Sequence, residues 1–79
     1  MSARLSPRQL DIVRLAANGY TDQAAAHHLG LSLHTVRDQW RHGIRPRLGA
    51  VDRTHAVALA FAAGLLTATD IHAREELAA

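Results

Sequence analysis

The chain has 79 residues, nine of them arginine and none lysine or cysteine, against seven acids, for a net charge of +2. This length supports one small domain that hides only about 60% of its unfolded surface, so pairing with a second copy would add stability, and large enzymes, disulfide scaffolds and thiolate metal sites are excluded. No apolar run approaches the roughly 20 residues needed to cross a bilayer and the amino terminus is polar, so a cytoplasmic protein without a membrane partner is expected.

In chain order, Ser6 reads as an N-cap, Pro7 as a first helical position and Gln9 as the partner in a capping box. They predict a helix over about 6–18, with Leu10, Ile12, Val13, Ala16 and Ala17 at spacings of three and four and a stop at Asn18-Gly19. Thr21 caps a second helix over 21–29, with Asp22 well placed against the helix dipole. Gly30 ends it, and Ser32 caps a third over 32–43 that runs through Val36 and Trp40. Gly43 costs about 1 kcal/mol relative to Ala in a helix and Pro46 disfavours helical angles at Arg45, so the third helix should falter between His42 and Arg47. Asp52 caps a fourth over 53–64, the most apolar of the set, and the tail reads as a short fifth helix over 69–77. The expected fold is all-α, a four-helix bundle around a central helix-turn-helix, in a single domain over 1–79 with its core in 5–66 and a C-terminal extension from 67.

Three spacings sharpen the helix-turn-helix reading. Ala26, four residues before Gly30, lets the second helix approach the third, and Val36, six after it, plugs the angle between them. Between His34 and His55, five arginines (Arg37, Arg41, Arg45, Arg47 and Arg53) face only Asp38 and Asp52, a balance of +3 that leaves −1 for the rest. Such a stripe is either a solvated helix face or a surface that neutralises nucleic-acid phosphate. Arg37 and Arg41, one turn apart, suit bidentate contacts to guanine, and Asp38 suits a cytosine amino group or holds a neighbouring arginine in place. Trp40 is better read as core packing than as a base-stacking ring. Six histidines show no metal-ligand spacing, so no metal or other cofactor is implied. Should His34 and His42 lie near DNA, their protonation in mild acid would strengthen binding.

Leu5-Ser-Pro-Arg-Gln, Ala17-Asn-Gly-Tyr-Thr, Ala26-x-x-Leu-Gly-Leu-Ser-x-x-Thr-Val-Arg, Arg47-Leu-Gly and Asp52-Arg-Thr-x-Ala-Val-x-x-Ala together resemble the LuxR-type (GerE or FixJ-like) DNA-binding domain of bacterial transcription regulators. The resemblance spans residues 5 to about 66. It implies a third helix in the major groove, with Arg37, Asp38 and Arg41 toward base edges, and backbone contacts from Thr21, Thr35 and Arg45, to which His34 and Arg47 are added by position. The family pattern has Glu at Gln9, a polar Asn-Lys-Glu-Ile run at Asp22-Gln-Ala-Ala and His at Gln39. Leu48 comes thirteen residues after Thr35, one more than in that pattern, and the surplus falls near Gly43. One inserted residue rotates the downstream part of a helix by about 100°, so a local bulge, or an early helix end with a restart at Pro46, is expected, downstream of Arg37, Asp38 and Arg41.

The fourth helix presents Ala56, Leu59, Ala60 and Ala63, with Leu66 beyond it, as the expected surface for a homodimer or partner. Two functions compete. One is a stand-alone, sequence-specific double-stranded DNA-binding regulator of bacterial or phage origin, complete from Met1. The other is an interaction protein that docks through the fourth helix on a larger regulator or RNA polymerase. An enzyme has no nucleophile, phosphate loop or acid pair behind it.

Overall fold

The computed structural model describes residues 4–73. Ser6 opens α1 (Pro7–Ala17) with a complete capping box: its Oγ accepts from the Gln9 N–H at 3.1 Å, and Gln9 Oε1 accepts from the Ser6 N–H at 2.9 Å. Thr21 Oγ1 accepts from the Ala24 N–H at 3.0 Å and starts α2 (Asp22–Leu29). Gly30 ends α2 with a φ of 69°, a left-handed angle that only glycine adopts without strain. The Leu31 N–H reaches back to the Ala26 carbonyl at 2.8 Å, and Ser32 Oγ accepts from the Thr35 N–H at 3.0 Å to start the third helix.

That helix, α3, does not end near residue 43. It runs as α-helix over Leu33–Asp38, as a π turn over Gln39–Ile44 and as α-helix again over Arg45–Leu48, with right-handed angles kept at both junctions. Within the wide turn the Arg45 N–H bonds to the Trp40 carbonyl, five residues back. The cause is the apolar spacing. Val36, Trp40 and Ile44 are buried and Leu48 packs against the same core, each four residues after the last. In a regular α-helix a spacing of four drifts by about 40° per step, so three steps would turn Leu48 about 120° away from Val36. One surplus residue in a wide turn cancels most of that. The same turn relieves Pro46, which lacks the N–H a regular helix needs and whose ring crowds the carbonyl one turn before it.

Asp52 Oδ1 accepts from the His55 N–H at 2.7 Å and starts α4 (Arg53–Ala62), which packs across α1 and the C-terminal end of α3. The core gathers Ile12 and Val13 from α1, Ala26 from α2, Val36, Trp40 and Ile44 from α3, and Ala56 and Ala60 from α4, with Leu66 closing it from the segment after α4. This corrects the expected partner surface. Ala56, Ala60 and Leu66 are at most 2% exposed, because α4 turns its small residues inward to lie close on α1.

Beyond α4, Thr67 precedes a single 3-10 turn, Ala68–Asp70. Ile71, His72 and Ala73 are not helical, so a helix does not begin at Thr69 as expected, and 74–77 lie outside the described residues. The segment is held instead by α1: Arg14 Nε donates to Asp70 Oδ1 at 3.1 Å, Asn18 Nδ2 donates to the Asp70 carbonyl at 2.8 Å, and the His72 N–H donates to Asn18 Oδ1 at 2.7 Å. Among the described residues there are four helices, one 3-10 turn and no strand.

Candidate nucleic-acid interface

The turn between α2 and α3 aims the first half of α3 outward. Ala26, 4% exposed, admits the close approach of the two helices, and Val36, fully buried, fills the angle between them. The opposite side of α3 carries His34, Arg37, Asp38, Arg41 and His42, all exposed. Arg37 and Arg41 make no hydrogen bond or ion pair with any of the described residues, so both guanidinium forks are open to a ligand. Asp38 pairs along the helix with His42, Oδ1 to Nε2 at 3.6 Å, rather than with an arginine. One expectation needs correction here: the π turn begins at Gln39, so Arg41 lies inside it and not upstream of it.

The residues expected at the phosphate backbone divide. Thr21 is exposed and His34 is exposed, while Thr35 is half-buried, its hydroxyl 2.9 Å from Ser32 Oγ. Arg47 is exposed and donates from Nη1 to Gln9 Oε1 at 3.2 Å. Arg45 is half-buried, and its Nη2 donates to the Val51 carbonyl at 2.8 Å, so it braces the connection between α3 and α4. The Val51 N–H is taken by His55 Nδ1 at 3.0 Å, which holds that connection from the other side.

A second cluster lies under the exposed face of α3. Trp40 packs in the core, its indole Nε1 donating to Asp22 Oδ1 at 3.0 Å. Arg53 reaches from α4 to the same carboxylate at 3.3 Å, donates to the Tyr20 carbonyl, and sets its guanidinium 5.5 Å from the Trp40 ring centre. Arg53 therefore belongs to the scaffold rather than to the basic surface. The sequence held one clue to this: a buried indole N–H needs an acceptor, and Asp22 is the acid placed to supply it. The bond from Gln9 Nε2 to Gln39 Oε1, 3.2 Å, joins the start of α1 to the π turn and carried no such clue.

Among the charged groups, Asp70 is held below the usual carboxylate range, chiefly by the N–H of Thr67 that donates to it; burial opposes this, and the bond and charge of Arg14 add to the lowering. No group of three or more histidine, aspartate or glutamate side chains among the described residues could hold a metal ion. No helix among them is long and apolar enough to cross a membrane.

The homeodomain-like domain family matches residues 4–48, which is 45 of the 79 residues and covers α1, α2 and all of α3. The chain belongs to the homeodomain-like helix-turn-helix family. No curated protein matches it. Membership in a homeodomain-like family points to DNA as the partner and to binding rather than catalysis, in keeping with the open arginines on α3. The match ends at Leu48, so α4 and the segment after it lie outside the homeodomain-like unit.

Proposed function

We propose that the protein is a sequence-specific double-stranded DNA-binding transcription regulator that lays α3 in the major groove. The observation that carries this reading is the pair Arg37 and Arg41, exposed on the second helix of a helix-turn-helix with no competing partner among the described residues. Their forks suit the O6 and N7 acceptors of guanine. Asp38 accepts from a cytosine amino group once it leaves His42. Thr21, His34 and Thr35, at or near helix N-termini, serve the phosphate backbone, where they position without specifying. Arg47 joins them. Arg45 acts through the connection it braces.

Within the helix-turn-helix families, the LuxR-type pattern is the finer reading we favour. Its support is the set of matching segments, the capping of α4 by Asp52, and the way α4 closes the core over α1. The test is affinity for a labelled duplex over a salt series, with the Arg37→Ala, Arg41→Ala double variant alongside. Log affinity should fall linearly with log salt, at a slope of several units, and the variant should bind more weakly with a shallower slope. No binding at low salt would refute the reading.

A second reading rests on a separate observation. The outward face of α4 carries Thr54, Ala58, Phe61 and Ala62, all exposed and none charged, with Phe61 38% exposed and Val51 nearby in sequence 72% exposed. We infer that this face, with Leu59 and Ala63 at its margin, pairs two copies of the chain, with a larger regulator or RNA polymerase as the other occupant.

A further inference from the structure

Burial of Val36, Trp40, Ile44 and Leu48 demands only that the angular drift of α3 be removed somewhere between the first and the last of them. The wide turn could satisfy this one step later, beyond Arg41. From outside the helix, Gln9 lies against the turn where it does form. This side chain is 7% exposed, and every polar atom it owns is engaged: Oε1 accepts from the Ser6 N–H at 2.9 Å and from Arg47 Nη1 at 3.2 Å, and Nε2 donates to Gln39 Oε1 at 3.2 Å. Gln39 opens the wide turn, Gly43 lies inside it and Arg47 comes after it, so Gln9 touches one face of α3 from one end of the turn to the other. A Cβ at position 43 would fall well inside van der Waals contact of Gln9 Nε2 and 3.2 Å from Gln39 Oε1. Glycine at 43 leaves room for the Gln9 amide to lie against the turn in this position.

Arg41 sits in that turn. In a regular helix the four residues from Arg37 to Arg41 overshoot a full turn by about 40°. The part of the wide turn that precedes Arg41 reduces this overshoot, which would bring the two side chains closer to one line along the helix.

We propose that Gln9 and Gly43 are positioning residues for base reading: by pinning the wide turn to Gln39–Ile44 they set the angle between Arg37 and Arg41, and so which base steps the two arginines reach together. The inference rests on α3 being the reading helix. Neither residue meets DNA, and their effect is confined to Arg41, because Arg37 lies before the turn.

The experiment is selection from a randomised duplex library by the full chain and its variants, with NMR detection of the hydrogen bond from the Arg45 N–H to the Trp40 carbonyl. Arg37→Ala and Arg41→Ala identify the base step each arginine reads. In Gln9→Ala the Arg45-to-Trp40 bond should be lost and discrimination at the Arg41 step should fall about 10-fold, within the range of one bidentate contact, while the Arg37 step changes by less than about 2-fold. Gln9→Glu should keep both, since its carboxylate still accepts from Ser6 and Arg47 and Gln39 can turn its amide N–H toward it. Gly43→Ala should resemble Gln9→Ala; where it fails to fold, Gln9→Ala carries the test. A folded Gln9→Ala with the bond and both preferences intact overturns the proposal, as do equal losses at both steps. A wild-type chain that selects no sequence, with Arg37→Ala and Arg41→Ala silent, overturns base reading itself and is recognised by that different signature.

Discussion

Arginines of one sequence stripe have been given unlike work by their surroundings. Arg37 and Arg41 point to solvent with nothing to hold, whereas Arg53 is tied to Asp22 and the Tyr20 carbonyl over the Trp40 ring. Arg37→Ala should therefore leave the melting temperature within about 2 °C of wild type and reduce preference for one base step. Arg53→Ala should cost about 1–2 kcal/mol and lower the melting temperature by roughly 5–15 °C, with DNA affinity unchanged for the molecules that remain folded. Melting curves and duplex titrations on the two variants check both halves. Asp70 adds a pH dependence. Its folded pKa lies below the unfolded value of about 3.9, so its anchoring of the C-terminal segment is complete above that pH and is lost as pH falls through the lower, folded value. In an acid titration followed by NMR, the His72 amide and the Asn18 side-chain amide should shift together below about pH 4, and Asp70→Asn should abolish that step.

Two glycines shape the helix-turn-helix for opposite reasons. Gly30 has open space around it but a left-handed φ of 69°, so Gly30→Ala should cost about 1–2 kcal/mol through backbone strain alone. Gly43 sits in helical backbone, where alanine would gain about 1 kcal/mol of propensity, yet the new methyl group would strike Gln9. Gly43→Ala should be destabilising by about 1–3 kcal/mol, the usual cost of overpacking. The two causes separate in a double-mutant cycle. Adding Gln9→Ala should recover part of the loss at position 43 and none at position 30, which urea unfolding would measure.

For a domain of this size the core leaves little reserve. Ile44 is fully buried at the far end of the wide turn, and Ile44→Ala should cost about 2–5 kcal/mol, comparable to the whole stability of a small domain, so the variant should be largely unfolded at 37 °C by circular dichroism. A dimer would relieve this. If the uncharged face of α4 pairs two copies, sedimentation equilibrium should show mass rising with concentration, and Phe61→Glu should hold the chain as a monomer with its helicity intact. A monomer at all concentrations would remove the pairing.

The helix starts were legible in the residues because caps are local: Ser6, Thr21, Ser32 and Asp52 each bond to a backbone N–H three residues on, and no distant contact competes. The glycine stop at Gly30 and the outward placement of Arg37, Asp38 and Arg41 were readable for the same reason. What stayed open was non-local. Gly43, Pro46 and the surplus residue admitted either a local bulge, which is what forms, or an early end to α3, while the strict spacing of four from Val36 to Leu48 favours a helix wound more widely than 3.6 residues per turn. Choosing between these signals required the core that buries Ile44 and the contact of Gln9 with Gly43, both set by how α1 and α4 pack. The same packing drew Ala56, Ala60 and Leu66 inward and turned Arg45 and Arg53 into braces. Amphipathic pattern tells that a face is apolar, and only the arrangement of neighbouring helices tells which partner covers it.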